Sequence, residues 1–404
     1  MTPPSARERL LSRLRMVRRL VRARLPEAVT SRTGPASARY ALSDVPDPVV
    51  APDTAVRVLI GPRNFAAQGF AWARSLERLP GVGAVSMQAG DNGGLAFPID
   101  YQVSDAVYTN SRRWGTRQRD AVGAGFSHVF FEAASSLFGA ASDKVVSREA
   151  DWLRGHDVGI GMLCHGTDIR LPSRHAQLDE WSPFRDAPPE WVEKLERRAR
   201  FNQSVLDTVA APVLVSTPEM LLDRPGSVWL PIVVDPAKWA TAEGVLERER
   251  PVVLHAPTNP RVKGTHLIEP VVEALDESEV ISYSRVIRVP SARMPALYAE
   301  SDIVLEQFAL GMYSVTSVEA MAAGRLVIAH VHEQVRDHVC EVTGLELPVV
   351  EATPATLGEV LRDVVERREH YRMVAARGPA FVAAVHDGAL SARVLAPFVG
   401  VAAA

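Results

Sequence analysis

The stretch VLEQFALGMYSVTSVEAMAAGRLVIAH (residues 304–330) holds the fold in miniature. A short apolar run leads into a loop with Gly311, Met312, Tyr313 and Ser314, then into a helix pattern carrying Glu319. Gly324 ends that helix, and LVIAH (326–330) opens a second apolar run. Strand, loop, helix and strand in this order make a βαβ unit. A loop feeding a helix start presents unpaired backbone N–H groups and the positive end of the helix dipole, which suits phosphate or sugar oxygens. An ordinary βαβ unit without a ligand explains the same letters equally well.

The alternation extends outward from this stretch. VRVLIG (56–61) reads as a strand, followed by a loop and a helix over AAQGFAWARSLERL (66–79). AVSMQ (84–88), HVFFEA (128–133), VGIGMLCHG (158–166) and PVLVST (212–217) read as further buried strands. PPEWVEKLERRARFNQSVLDTV (188–209) is helical, and STPEML (216–221) is a helix start with Ser216 or Thr217 as cap. After residue 239 the pattern restarts: PVVLHAP (251–257) and VISYSRV (280–286) are strands, KGTHLIEPVVEAL (263–275) and MPALYAESD (294–302) helices. Such alternation implies parallel sheets covered by helices on both faces. The expected α/β architecture is two Rossmann-like domains facing across a cleft, over 56–235 and 236–385. A basic amphipathic helix (1–30) and a linker (31–55) precede them, and a C-terminal helix or tail (386–404) packs back toward the first domain. Ligands of such sheets sit beyond the carboxyl ends of the strands, so the cleft is the expected site.

Composition narrows the function classes. The 404 residues exceed the roughly 150 of one domain, so two domains are expected. Apolar residues make up 47% and charged residues 23%, an ordinary globular balance. A net charge of −3 gives no reason to expect nucleic acid as a partner. Cys164 and Cys340 lack CxxC spacing, so neither a disulfide framework nor a zinc site is expected, and a cytoplasmic location fits. No run reaches the ~18 apolar residues of a membrane span. The N-terminal RERLLSRLRMVRRLVRARL (7–25) carries eight arginines and places Leu10, Leu14, Val17, Val21 and Leu25 on one helical face. It is compatible with the inner face of an anionic membrane, with docking on a protein, or with disorder, and it lacks the h-region of a signal peptide.

HAPTNPRVKGTHLIE (255–269) is the most informative loop. Arg261 and Lys263 stand where cations can meet phosphate, Gly264 allows close backbone approach, and Thr265 is placed to cap the next helix. No GxxxxGK[ST] is present, and no GxGxxG follows VRVLIG, which argues against a P-loop and a nicotinamide enzyme. None of the eleven histidines falls in a recognised metal spacing. Trp181 and Trp191 either line an acceptor site or pack in a core.

Together, VKGT (262–265), EAMAAGRLVIA (319–329), LPIVVD (230–235), LCHGTDIRLP (163–172) and GPRNFAAQG (61–69) resemble the landmarks of the retaining, GT4-like nucleotide-sugar glycosyltransferases (glycosyl transferases group 1) of GT-B fold. The resemblance spans roughly residues 56–385, with the landmarks in the expected order. It implies hexosyl transfer from a nucleoside diphosphate sugar to an acceptor hydroxyl, with no cofactor and no bound metal. Lys263, helped by Arg261, would neutralise the leaving diphosphate. His165 would lie near the transferred sugar, and Glu319 would hold the ribose. Backbone N–H groups at Met312, Tyr313 and Ser314, with Thr258 and Gly264, would meet the donor. Asn64, Gln68 and Asp168 would meet phosphate or acceptor, and SRVIRVP (284–290) would read the base through its backbone. Gly311 departs from the family's E-x7-E motif, whose first glutamate it replaces; Glu306 or a closer backbone approach would compensate. This chain resembles a subgroup sharing that change. A GT-B epimerase and a catalytically weak partner protein of another transferase are the alternative readings.

Overall fold

The computed structural model describes residues 26–33, 35–91, 97–287 and 289–402. The basic segment 7–25 and Arg288 of the base-reading stretch lie outside the described residues.

The first sheet comprises β1 (Val56–Gly61), β2 (Val82–Ala89), β3 (Tyr101–Val103), β4 (His128–Glu132), β5 (Gly159–Cys164), β6 (Val213–Val215) and β7 (Val228–Trp229). Its order is β3-β2-β1-β4-β5-β6-β7 and every pairing is parallel. This is a doubly wound sheet whose connections reverse direction between β1 and β4. The second sheet comprises β8 (Val252–His255), β9 (Ser282–Arg285), β10 (Ile303–Leu305), β11 (Leu326–Ala329) and β12 (Val349–Glu351). Its order is β12-β11-β10-β8-β9, again parallel, with the reversal between β8 and β10.

The strands are uninterrupted apolar runs because both faces of each sheet are covered. Leu59 and its neighbours Val129 and Phe131 enter one core, while Val58, Ile60 and Phe130 enter another on the opposite face. The second sheet divides likewise, Val304 and Val327 to one side and Ile303, Leu305 and Ile328 to the other. The chain then crosses back. Ala392, Leu395, Ala396 and Val399 of the C-terminal helical turns share the core of Val58, Ile60 and Trp72 in the first sheet. By length and composition the helical stretch Arg368–Val399 resembles a membrane span, contrary to the sequence expectation, yet its apolar face is spent in these protein cores.

Two local expectations are corrected. Thr217 stands at an N-cap, but its hydroxyl donates to Glu219 at 2.9 Å rather than accepting from the helix. Thr265 is the first helical residue; its hydroxyl pairs with His255 Nε2 at 2.8 Å, and left-handed Gly264 occupies the cap.

Candidate active site

The chemistry-bearing residues follow the carboxyl ends of strands from both sheets, and three interdomain contacts show that these ends face one another. Arg170 donates to Met312 Sδ at 3.5 Å, His175 Nε2 lies 3.4 Å from the Leu310 carbonyl, and His332 Nε2 lies 3.0 Å from Asp179 Oδ2. Phe184, Leu310 and Met312 form a small apolar cluster there, with Trp191 and Val262 packed against it. Trp191, stacked on Phe184, therefore packs in this cluster.

Lys263 ends the short helix Pro260–Lys263, and Gly264 (φ 74°) turns the chain into the next helix. A Cβ at Gly264 would come within about 3.1–3.2 Å of Ala309 and Phe308, tighter than an ordinary side-chain contact, and the left-handed φ adds strain, so glycine suits the close approach of the two loops. Across that contact the Lys263 ammonium pairs with buried Glu306 and lies 3.0 Å from Ser314 Oγ. Glu306 also accepts from Ser314 at 2.6 Å and from Ser317 at 2.9 Å. Both its oxygens are thereby engaged, so Glu306 orients the lysine instead of standing in for the missing glutamate. An ammonium has three donors, and this knot uses two.

Ser314 is the N-cap of helix Val315–Ala322 in position only, because its hydroxyl is given to Glu306 and no side chain caps the helix. Among the described residues, the backbone N–H groups of Met312, Tyr313 and Ser314 make no hydrogen bond to the chain. Uncapped N–H groups at a helix start, next to an ammonium, form an anion cradle. The Tyr313 side chain points away into the core, its hydroxyl 3.3 Å from His386 Nε2. Gly311 has φ 62°, and a Cβ there would come within 2.2 Å of the His332 ring. A side chain at this position would have to displace the His332 ring, which bonds Asp179.

Glu319 lies one turn into the helix and lines a cavity of about 670 Å³ between the domains, with Gln68, Val233, Asp235 and Lys238. Tyr298 donates to its carboxylate at 3.1 Å, and burial pushes the carboxyl up to about 7. Arg261 and Thr258 are exposed, and among the described residues the Arg261 guanidinium has no partner.

The first domain supplies His165, whose Nε2 lies 3.0 Å from Glu132 Oε1. Glu132, fully buried at the end of β4, also accepts from the N–H groups of Arg63 and Asn64 at 2.9 and 3.0 Å. Sequence reasoning passed over Glu132. Its signal was a lone carboxylate closing an apolar strand beside the point where the connections reverse.

Asn64, Gln68 and Asp168 are used differently from expectation. Asn64 is buried and bonds Gln88, the Pro98 carbonyl and the Phe70 N–H. Gln68 clamps Val233, donating to its carbonyl at 3.0 Å and accepting from its N–H at 2.8 Å. The Asp168 carboxylate accepts from the N–H groups of His165 and Gly166. Each side chain shapes a loop, because its polar atoms are already satisfied by the chain. Arg170 pairs with Glu219.

No family model matches the chain, and no curated protein matches it. Solved structures do. Sucrose-phosphate synthase from Thermosynechococcus elongatus is 14% identical with a TM-score of 0.52, over 83% of this chain and 96% of that one. Anabaena HepE in complex with UDP and glucose is 11% identical with a TM-score of 0.54, over 85% and 98%. WaaG, a glycosyltransferase involved in lipopolysaccharide biosynthesis, is 12% identical with a TM-score of 0.51, over 85% and 100%. With two doubly wound sheets facing each other through their carboxyl ends, the chain has the GT-B fold.

Proposed function

We propose that the protein is a glycosyltransferase that moves a hexosyl group from a nucleoside diphosphate sugar to an acceptor hydroxyl. The observation that carries this reading is the cradle at residues 311–314, where unpaired N–H groups stand beside the Lys263 ammonium held by Glu306 and Ser314. The likeness to HepE, solved with UDP and glucose, supports a nucleotide-sugar donor.

In this reading the C1–O bond to the diphosphate breaks while charge gathers on the leaving oxygen. Lys263, with Arg261 arriving from the exposed loop, and the helix N–H groups stabilise that charge in place, which is electrostatic catalysis. Glu319 accepts from the ribose hydroxyls. His165, fixed by Glu132, faces the transferred sugar. Glu132 and Glu306 are both committed to protein donors, so neither serves as a nucleophile. Transfer then proceeds on one face with retention, the acceptor oxygen bonding C1 as its proton passes to the leaving phosphate. No metal takes part in this step. The segment 7–25 is proposed to rest on the inner face of a membrane, near the acceptor.

Calorimetric titration with UDP, GDP, ADP and dTDP tests the donor pocket. One nucleotide is expected to bind and to raise the thermal midpoint. Lys263→Ala is expected to lower transfer about 10²–10³-fold, the effect of removing one transition-state donor. Full turnover in folded Lys263→Ala would sink the assignment, and no binding of any nucleotide would leave the partner-protein reading in its place.

A further inference from the structure

A cluster of titratable side chains outside the transfer chemistry bridges the two domains. Asp179 follows helix Pro172–Leu178 of the first domain, while His330 and His332 follow β11 of the second. Asp179 Oδ2 lies 3.0 Å from His332 Nε2 and 3.5 Å from His330 Nε2. The three atoms all fall within 4.8 Å of one another. Tetrahedral zinc with bonds near 2.0–2.2 Å sets its ligand atoms about 3.3 Å apart, so the spacing fits.

The surroundings also suit a metal. His330 Nδ1 lies 2.7 Å from Glu351 Oε1, which holds the proton on that nitrogen and leaves Nε2 to ligate. Glu351 is fixed in turn by the Val331 N–H at 2.8 Å and Arg336 at 3.0 Å. Asp179 Oδ1 accepts from the Trp181 N–H at 2.7 Å, leaving Oδ2 available. His332 is wedged against Gly311. A cavity of about 660 Å³ lined by His330, His332 and Glu333 gives an entry path and room for a water as fourth ligand. His330 and His332 both direct Nε2 at the same oxygen, Asp179 Oδ2. A dication lets both Nε2 atoms act as lone-pair donors.

We propose that Asp179, His330 and His332 bind one divalent transition-metal ion of the zinc class, which clamps the two domains beside the 311–314 loop. Two imidazoles and a carboxylate suit that class. Along the chain only the His330-x-His332 pair hints at such a site, because the third ligand, Asp179, comes from the other domain.

The test uses the full-length chain, stripped with chelator and reloaded with Zn²⁺ or Co²⁺. Elemental analysis is expected to find a single ion per chain, and Co²⁺ to show the visible bands of a tetrahedral site. Asp179→Asn and His332→Ala are expected to abolish both, and Glu351→Gln to weaken affinity by about 10–100-fold. Zn²⁺ should raise the thermal midpoint of the wild type but not of Asp179→Asn or His332→Ala. Failure of the folded wild type to take up either ion overturns the proposal without recourse to a variant. Uptake unchanged in Asp179→Asn and His332→Ala overturns it as well.

Discussion

Glu319 shows how much one side chain's surroundings decide. Its carboxyl, ordinarily near 4.5, is raised to about 7 by burial. If, as proposed, ribose hydroxyls donate to the ionised form, nucleotide binding should release a proton below pH about 7 and tighten as pH rises to that value. Calorimetry in two buffers of different ionisation enthalpy measures this; identical heats at pH about 6 would count against the ribose role. The free protein behaves oppositely. Ionising a buried carboxyl costs the folded state, so Glu319 lowers stability as pH climbs from 4.5 to about 7, and the loss levels off above. Gly311 is decided by space. Gly311→Ala is expected to cost about 1–2 kcal/mol from its left-handed backbone alone, and more because the His332 ring must move. Thermal unfolding checks this, and adding His332→Ala should recover the steric part.

At the scale of elements, Gly264 brings the helix start at 264–265 against the 308–309 loop that leads to the helix start at 314–315, and Lys263 lies between Glu306 and Ser314. Neither helix holds the lysine alone. The C-terminal helix Ala389–Leu395 does comparable work for stability, since fully buried Leu395 belongs to the core of Val58, Ile60 and Trp72. Leu395→Ala is expected to destabilise the protein by about 2–5 kcal/mol, read from the urea midpoint, through the lost apolar burial and the cavity left behind. A cost under ~0.5 kcal/mol would mean the helix is not bound to the first sheet as described.

Across the whole molecule, the junction at 230–235 is held from both sides. Trp72 Nε1 and Ser391 Oγ both donate to the Pro231 carbonyl at 2.9 Å, and Gln68 makes its paired bonds to Val233. Gln68→Ala leaves a buried N–H and carbonyl of Val233 without partners, at about 1–3 kcal/mol for each. The expected outcome is a lower thermal midpoint and a raised KM for donor, because the cavity wall that Gln68 shares with Glu319 loosens. An unchanged midpoint would show that the clamp contributes nothing.

Much was legible in the letters. Uninterrupted apolar runs alternating with helical periods determined parallel sheets and their helices, because both faces of such sheets are buried. The family resemblance singled out Lys263, Gly311 and Glu319, and the structure places Lys263 beside the loop and helix that carry the other two; their part in donor binding is the proposal above. The roles of Asn64 and Gln68 were decided only by folding, since the Pro98 and Val233 groups that satisfy them come from distant loops, whereas Asp168 is satisfied by the neighbouring N–H groups of His165 and Gly166. Glu132 beneath His165, Glu306 beneath Lys263, and Asp179 between His330 and His332 belong to the tertiary structure for the same reason. Each is a contact across long sequence separation, and local pattern carries no record of which distant strand end will face it.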